Sequence, residues 1–178
     1  MQNKSIKTEY YSPAEDTLFF ANNIQDEKGN SALDIGTGSG YLANVLLPNF
    51  EVVVATDISF DAIKKAYNLI QNCICCNSAD PLIMKFDLVI CNMPYLPSEK
   101  IIDSTIDGLD EGLVVPLKII KSVKNIIKKE GRMIYLTSSL ANHKKLLEET
   151  ESLGFYTKII ATKKMFFEEL ILVEAVLK

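Results

Sequence analysis

Two short stretches carry residue types that could do chemistry. Residues 89–97 read V-I-C-N-M-P-Y-L-P, an apolar run that stops on an amide, a proline and an aromatic ring. Residues 33–42 read L-D-I-G-T-G-S-G-Y-L, where glycines 36, 38 and 40 follow a carboxylate, Asp34. Taken alone, each also reads as a tight turn, since Asn, Pro and Gly are common turn residues. Glycine, however, lets a ligand approach the backbone without a Cβ in the way. The spacing is G-x-G-x-G and not the G-x-G-x-x-G of dinucleotide binders. A carboxylate just ahead of the loop would repel a pyrophosphate and suits a cationic group.

Two more carboxylates stand at comparable places. The run E-V-V-V-A-T leads into Asp57, about twenty residues past the glycines, where an acid accepts from a ribose diol. The segment N-S-A-D-P offers Asp80 to an exocyclic amine such as that of adenine. Asp57 could instead cap the following helix, and Asp80 could open a turn. Together the three carboxylates read as a site for a nucleoside that carries a positive charge and no phosphate. S-adenosylmethionine has that chemistry: an ammonium, a sulfonium, a ribose and an adenine.

Elements of alternating type must position these residues. The sequence predicts strands over 31–35, 51–56, 72–76, 86–91, 132–137, 156–161 and 169–177. Helices are predicted over 14–25, 41–47 (stopped by Pro48), 59–70 with Ser59 as N-cap, 113–129 and 140–153, with Gly131 and Gly154 as stops. Strands alternating with helices imply an α/β fold, a Rossmann-like seven-stranded, mostly parallel sheet covered on both faces. Two consecutive terminal strands form a hairpin that adds one antiparallel strand. The 178 residues suit a single domain, 1–178, in which 1–30 form a helical segment over the cofactor site, with no separate substrate domain.

Composition narrows the classes. The net charge of −4 supplies no global basic field for nucleic acid. The lysines between 118 and 129 read as the solvated face of a helix. No apolar run approaches the roughly 20 residues of a membrane span, and the N-terminus lacks the apolar core of a signal peptide, so a cytoplasmic protein is expected. Cysteines 73, 75, 76 and 91 have neither zinc-knuckle nor disulfide-framework spacing and read as small apolar residues of buried strands. The single histidine, His143, has no nucleophile motif beside it. No metal site is expected.

With these residues in place, the chain resembles the class I S-adenosylmethionine-dependent methyltransferases. N-M-P-Y is similar to the N-P-P-Y motif of the branch that methylates planar amino or amide nitrogens. Y-S-P-A-E-D-T, Tyr11 to Thr17, resembles the Y-x-P-A-E-D-T segment of eukaryotic and archaeal HemK-like glutamine methyltransferases, and D-G-L-D-E-G-L (107–113) resembles their glycine loop. The resemblance covers nearly the whole chain. It implies N5-methylation of the glutamine in the Gly-Gly-Gln loop of a class 1 translation release factor. It places Asn92, Met93, Pro94 and Tyr95 at the reacting nitrogen. Thr17, Asp34, Gly36, Asp57, Asp80 and Asn92 match cofactor positions, with Thr37, Gly38, Ile58 and Pro81 on the same turns.

The chemistry fits the motif. An amide nitrogen is a poor nucleophile and must be held in line for attack. The Asn92 side-chain oxygen and the Met93 carbonyl can each accept one N–H, and Tyr95 gives the planar group a face to lie against. Met93 replaces the first proline of the family motif; the expected role, a backbone carbonyl, survives the exchange. Relatives of this short type work with a small zinc-binding protein shared with tRNA methyltransferases. The segment N-C-I-C-C-N (72–77), an uncharged strand expected at a sheet edge, is the expected docking place, since unguarded edges recruit other strands. Two other readings stand beside this one: methylation of an exocyclic amine of RNA or DNA, and a binding subunit whose catalytic site has decayed.

Overall fold

The computed structural model describes residues 14–95 and 110–178. Helix α1 spans Glu15–Ile24 and is followed by β1 (Gly29–Ile35), α2 (Tyr41–Leu46), β2 (Phe50–Asp57), α3 (Phe60–Ala66) and β3 (Cys73–Cys75). Then come β4 (Phe86–Asn92), α4 (Asp110–Lys124), β5 (Ile127–Ser138), α5 (His143–Ser152), β6 (Phe155–Lys164) and β7 (Glu169–Leu177). The seven strands form one sheet in the order β3-β2-β1-β4-β5-β7-β6. All neighbouring pairs are parallel except those made by β7, which inserts antiparallel between β5 and β6. The expected fold class holds, including the single antiparallel strand of the terminal hairpin.

Strand parity sorts side chains onto two faces. Leu33, Ile35, Val89, Cys91, Met133 and Tyr135 join a core under α4 and α5, with Leu113, Ile120, Val123 and Leu146. Their chain neighbours Ala32, Leu88, Ile90, Ile134 and Leu136 join a second core with Phe20, Ala21 and Ile24 of α1 and Leu42, Ala43 and Leu46 of α2. Helices on both faces follow from these near-continuous apolar strands.

Three expectations need correction. The helix expected over 113–129 spans Asp110–Lys124. Ile126 and Ile127 leave its register because they are buried against β4, where Phe86 pairs with Ile127 and donates its N–H to the Ile126 carbonyl. Gly131 therefore lies inside β5 rather than stopping a helix. The cysteines of 73–76 are not buried: Cys73 and Cys76 are half-buried and Cys75 is exposed, while Cys91 is buried. The reason is position, since β3 is a three-residue edge strand. The helices expected over 59–70 and 140–153 are shorter at their ends. Ser59 caps the first as expected, its Oγ accepting from Ala62 N at 3.3 Å, and Asn142 caps the second.

Candidate cofactor and acceptor site

The site gathers at the carboxyl ends of β2, β1 and β4, where an open parallel sheet binds ligands. Asp34 lies beside Ala55 of β2 and Ile90 of β4 in the register. Asp57 and Asn92 are each two residues further along their strands. Asp34, Asp57 and Asn92 therefore share one face, the face under α1, with the two outer residues one pleat beyond the central one.

The glycine loop is fastened to β2. Gly36 N and Thr37 N both donate to the Thr56 carbonyl, at 2.8 and 2.9 Å. Gly36 and Gly38 adopt φ of +71° and +57°, and a Cβ built on either would meet nothing within 4 Å among the described residues. Side chains are excluded there by conformation and not by crowding, which leaves open space above the backbone for a ligand. Asp57 Oδ2 accepts from Gly38 N at 2.9 Å, and its Oδ1 accepts from Ser59 N at 2.8 Å. One carboxylate thus ties the end of β2 to the loop. Ile58 beside it is 68% exposed.

Asp34 is 1% exposed. Its Oδ2 accepts from Thr37 Oγ1 at 2.6 Å and from Ala43 N, in the first turn of α2, at 3.2 Å. Burial raises its pKa to about 6 against these hydrogen bonds, with a further push from Asp57. Asp80 lies exposed in the turn after β3, and its Oδ2 accepts from Asn77 Nδ2 at 3.2 Å. Pro81 follows it, also exposed.

The acceptor end departs from expectation in an informative way. Asn92 Nδ2 donates to Asp16 Oδ2 of α1 at 3.0 Å. Thr17 donates its N–H and its hydroxyl to Asp16 Oδ1, at 2.6 and 3.3 Å. Asp16 was not among the residues singled out from the sequence, although it stands in A-E-D-T. Two acids in a first helical turn read as macrodipole complements, and nothing local marks one of them as the partner of a residue 76 positions away.

Met93 is 1% exposed, and its side chain lies in the core with Leu113 and Val89. Parity explains this: 89, 91 and 93 point away from the face of Asn92. The exchange of proline for methionine therefore fills the core and leaves the site face untouched. Tyr95 is half-buried; burial first, then the carboxylates of Glu168 and Asp16, push its phenol well above the usual range. Glu168, in the turn between β6 and β7, is a second neighbour that sequence reasoning missed. Gly112 is a third. Its φ is +74°, and a Cβ there would lie 2.2 Å from the Tyr95 carbonyl oxygen, so α4 packs directly onto the motif. Of the N-terminal motif, Tyr11, Ser12 and Pro13 lie outside the described residues, as do residues 96–109, which include 107–109 of the glycine loop. Among the described residues there is no cluster of His, Cys, Asp and Glu that could hold a metal. None of the helices among them is long and apolar enough to cross a membrane.

Residues 7–165 match the family model described as a methyltransferase domain. The chain belongs to that family. A Methanocaldococcus jannaschii protein named "putative protein N5-glutamine methyltransferase" is 31% identical over 183 residues, covering 96% of this chain and 93% of its own. Among solved structures, the E. cuniculi Mtq2–Trm112 complex, described as responsible for methylating the eRF1 termination factor, superposes with a TM-score of 0.79. Its identity is 22%, over 94% of this chain and 98% of that one. The N-methyltransferase NodS of Bradyrhizobium japonicum, solved with S-adenosylhomocysteine, gives a TM-score of 0.67 at 12% identity, over 90% and 84% of the two chains. The fold expected from the sequence is thus that of known methyltransferases.

Proposed function

We propose that the protein is an S-adenosylmethionine-dependent N5-glutamine methyltransferase acting on the Gly-Gly-Gln loop of a class 1 release factor in the cytoplasm. The observation that carries this reading is the shared face of Asp34, Asp57 and Asn92 at neighbouring strand ends. The residues present fit the cofactor. The glycine loop leaves open space, and Asp34, Asp57 and Asp80 face no cation among the described residues.

Asp57 would accept from the ribose diol, Asp80 with Pro81 would edge the adenine, and the exposed Ile58 side chain would give its ring an apolar face. Gly36, Thr37, Gly38 and Thr17 would frame the amino-acid end, and buried Asp34 would stabilise the ammonium through the loop that it holds. When bound, the cofactor supplies an electrophilic methyl group on a sulfonium, which becomes a neutral thioether as nitrogen takes the methyl and releases a proton to water. The chain's own part is positioning. Asn92 Oδ1 and the Met93 carbonyl each accept one N–H of the acceptor amide, Pro94 holds Met93 extended, and Tyr95 lies against the amide plane. Accepting both hydrogens stabilises the charge that develops on nitrogen.

The chain is proposed to work as the catalytic subunit of a heterodimer with a small zinc-binding partner that pairs with β3. The two sheet edges support this. Edge strand β6 runs ten residues, carries Lys158, Lys163 and Lys164, and is broken by a bulge between Ile159 and Ala161. Edge strand β3 is uncharged, and Ile74 is 36% exposed. Lysines and bulges protect an edge from added strands, and β3 has neither.

A methyl-transfer assay with labelled cofactor, on release factor and on bulk RNA, tests the reading. Label is expected in the release factor, at its Gly-Gly-Gln glutamine. Label in RNA alone would replace the substrate class. Ile74→Lys is expected to release the partner subunit while cofactor affinity is kept.

A further inference from the structure

We infer that Asp16 is a positioning residue for methyl transfer, fixing the Asn92 amide so that its oxygen faces the acceptor nitrogen. The inference rests on the reading of Asn92 as the group that accepts an N–H of the acceptor amide.

A side-chain amide has two faces of opposite sense: an oxygen that accepts and a nitrogen that donates. Turned the wrong way, Asn92 would aim N–H groups at the N–H groups of its substrate. The contact at 3.0 Å removes the ambiguity, because a carboxylate only accepts. The Asn92 atom beside Asp16 is therefore nitrogen, and the oxygen points to the other side. Asp16 is itself held. Its Oδ1 is occupied by Thr17 N and Thr17 Oγ1, which leaves Oδ2 for Asn92. The first turn of α1 is anchored in turn by Phe20, Ala21 and Ile24, all buried against the sheet.

The charge adds to the geometry. An amide that donates to an anion is polarised, and its oxygen becomes a better acceptor, as hydrogen bonds in a chain reinforce one another. The reacting nitrogen gains positive charge only as the methyl arrives. The strengthened bond therefore acts more on the transition state than on bound substrate, and its loss falls on kcat. Asp16 also connects the N-terminal helix to the end of β4, so the E-D-T segment takes part in acceptor chemistry as well as in cofactor binding.

The test compares wild type, Asp16→Asn, Asn92→Ala and the double variant, with release factor as substrate. Asp16→Asn is expected to lower kcat about ten- to a hundredfold, by analogy with the loss when the hydrogen-bond partner behind a metal ligand is removed. Cofactor Kd and Tm should stay near wild type. In the Asn92→Ala background the same change should lower the residual rate no further, because Asp16 acts through Asn92. Nuclear magnetic resonance of the cofactor-bound enzyme supplies a reading without substrate: one Asn92 side-chain amide proton should lie downfield and move upfield in Asp16→Asn. An unchanged kcat, or a further loss of equal size in the Asn92→Ala background, overturns the inference, as does an Asn92 resonance indifferent to Asp16. If wild type leaves the release factor unmodified while that resonance still follows Asp16, the substrate reading falls and the positioning contact stands.

Discussion

At the amino end of the strands, Asp87 accepts from Ser31 N at 2.8 Å, Ser31 Oγ at 3.0 Å and Asn30 N at 3.2 Å, and pairs with Lys128 Nζ at 2.8 Å. Arg132 bridges Glu27 and Glu174 beside it. At the carboxyl end, among the described residues, Asp34, Asp57 and Asp80 accept only from a hydroxyl, an amide and backbone N–H groups. Burial alone would raise the Asp87 pKa, but the bonds from Lys128 and Ser31 lower it. Burial raises that of Asp34 to about 6, and nothing there reverses it. The same residue type is satisfied at one end and left wanting a cation at the other. On the proposed reading that asymmetry distinguishes the binding end, and it predicts which property each substitution damages: function at the carboxyl end, stability at the amino end.

The largest expected effect is Asn92→Ala. Removing a preorganised acceptor at a developing charge costs about 10²–10³ in kcat. Cofactor affinity should fall much less, and Tm should hold. Steady-state kinetics beside calorimetry separate the two, and equal losses in rate and affinity would make Asn92 a binding residue. Next is Asp57→Ala. On the proposed reading the ribose diol would lose a charged acceptor worth about 1.5–3 kcal/mol, so cofactor Kd should rise at least tenfold. Gly38 N and Ser59 N lose their acceptor too, so the loop should loosen, visible as faster amide exchange at residues 36–40. Unchanged affinity by calorimetry would break the assignment of the carboxyl end.

The sequence singles out these residues because their signals are local. A carboxylate beside three glycines, an acid at the end of an apolar run and N-M-P-Y each fit within a few positions. The fold was legible for the same reason, through alternating apolar runs and helical spacing. What escaped depends on distant pairings. Asp16 meets Asn92 only when α1 crosses the end of β4, and Glu168 nears Tyr95 only when the last hairpin brings its turn there. The end of α4 was misplaced because Ile126 and Ile127 satisfy a helical apolar pattern as well as a strand's, and only pairing with β4 decides between them. The cysteines of β3 look like core residues in sequence, yet an edge strand of three residues has little core to enter.

A smaller effect separates stability from function at one residue. Asp34 is ionised at neutral pH although buried, and the rise of its pKa from 3.8 to about 6 corresponds to roughly 2–3 kcal/mol withheld from the empty protein. The folded state binds this proton more tightly than the unfolded state, so stability from this group is greatest below about pH 4 and is lost as pH rises through about 6. Asp34→Asn keeps an oxygen for Thr37 and Ala43 and removes the charge. It should raise Tm of the cofactor-free enzyme at pH 7, with the gain shrinking towards pH 4.5, and should weaken cofactor binding. Melting curves of both proteins across that range check the sign. An Asn variant less stable at pH 7 would overturn this sign.

The smallest effect lies at the other end and has the opposite pH sense. The pair of Asp87 with Lys128 is partly exposed and contributes little by itself. The bonds to Ser31 matter more, because Ser31 is buried and Asp87 Oδ2 accepts from both its N–H and its hydroxyl. Ser31 Oγ retains the Lys85 carbonyl at 3.3 Å. Asp87 also sits where the register of β4 on β5 shifts, between Phe86 and Leu88, so its side chain bridges three strands at an irregular point. Asp87→Ala should therefore cost about 1–3 kcal/mol, the range for removing the acceptor of a buried donor, and leave cofactor Kd unchanged. Because the folded-state pKa is depressed, the stability from Asp87 is present above its unfolded pKa and is lost as pH falls through the folded value. The difference between wild type and Asp87→Ala should stay constant from pH 5 to 8 and close only in acid, where the Asp34 difference has already vanished. A shift in cofactor affinity equal to the loss in stability would mean that the two ends of the sheet are coupled, and the separation between a structural end and a binding end would fail.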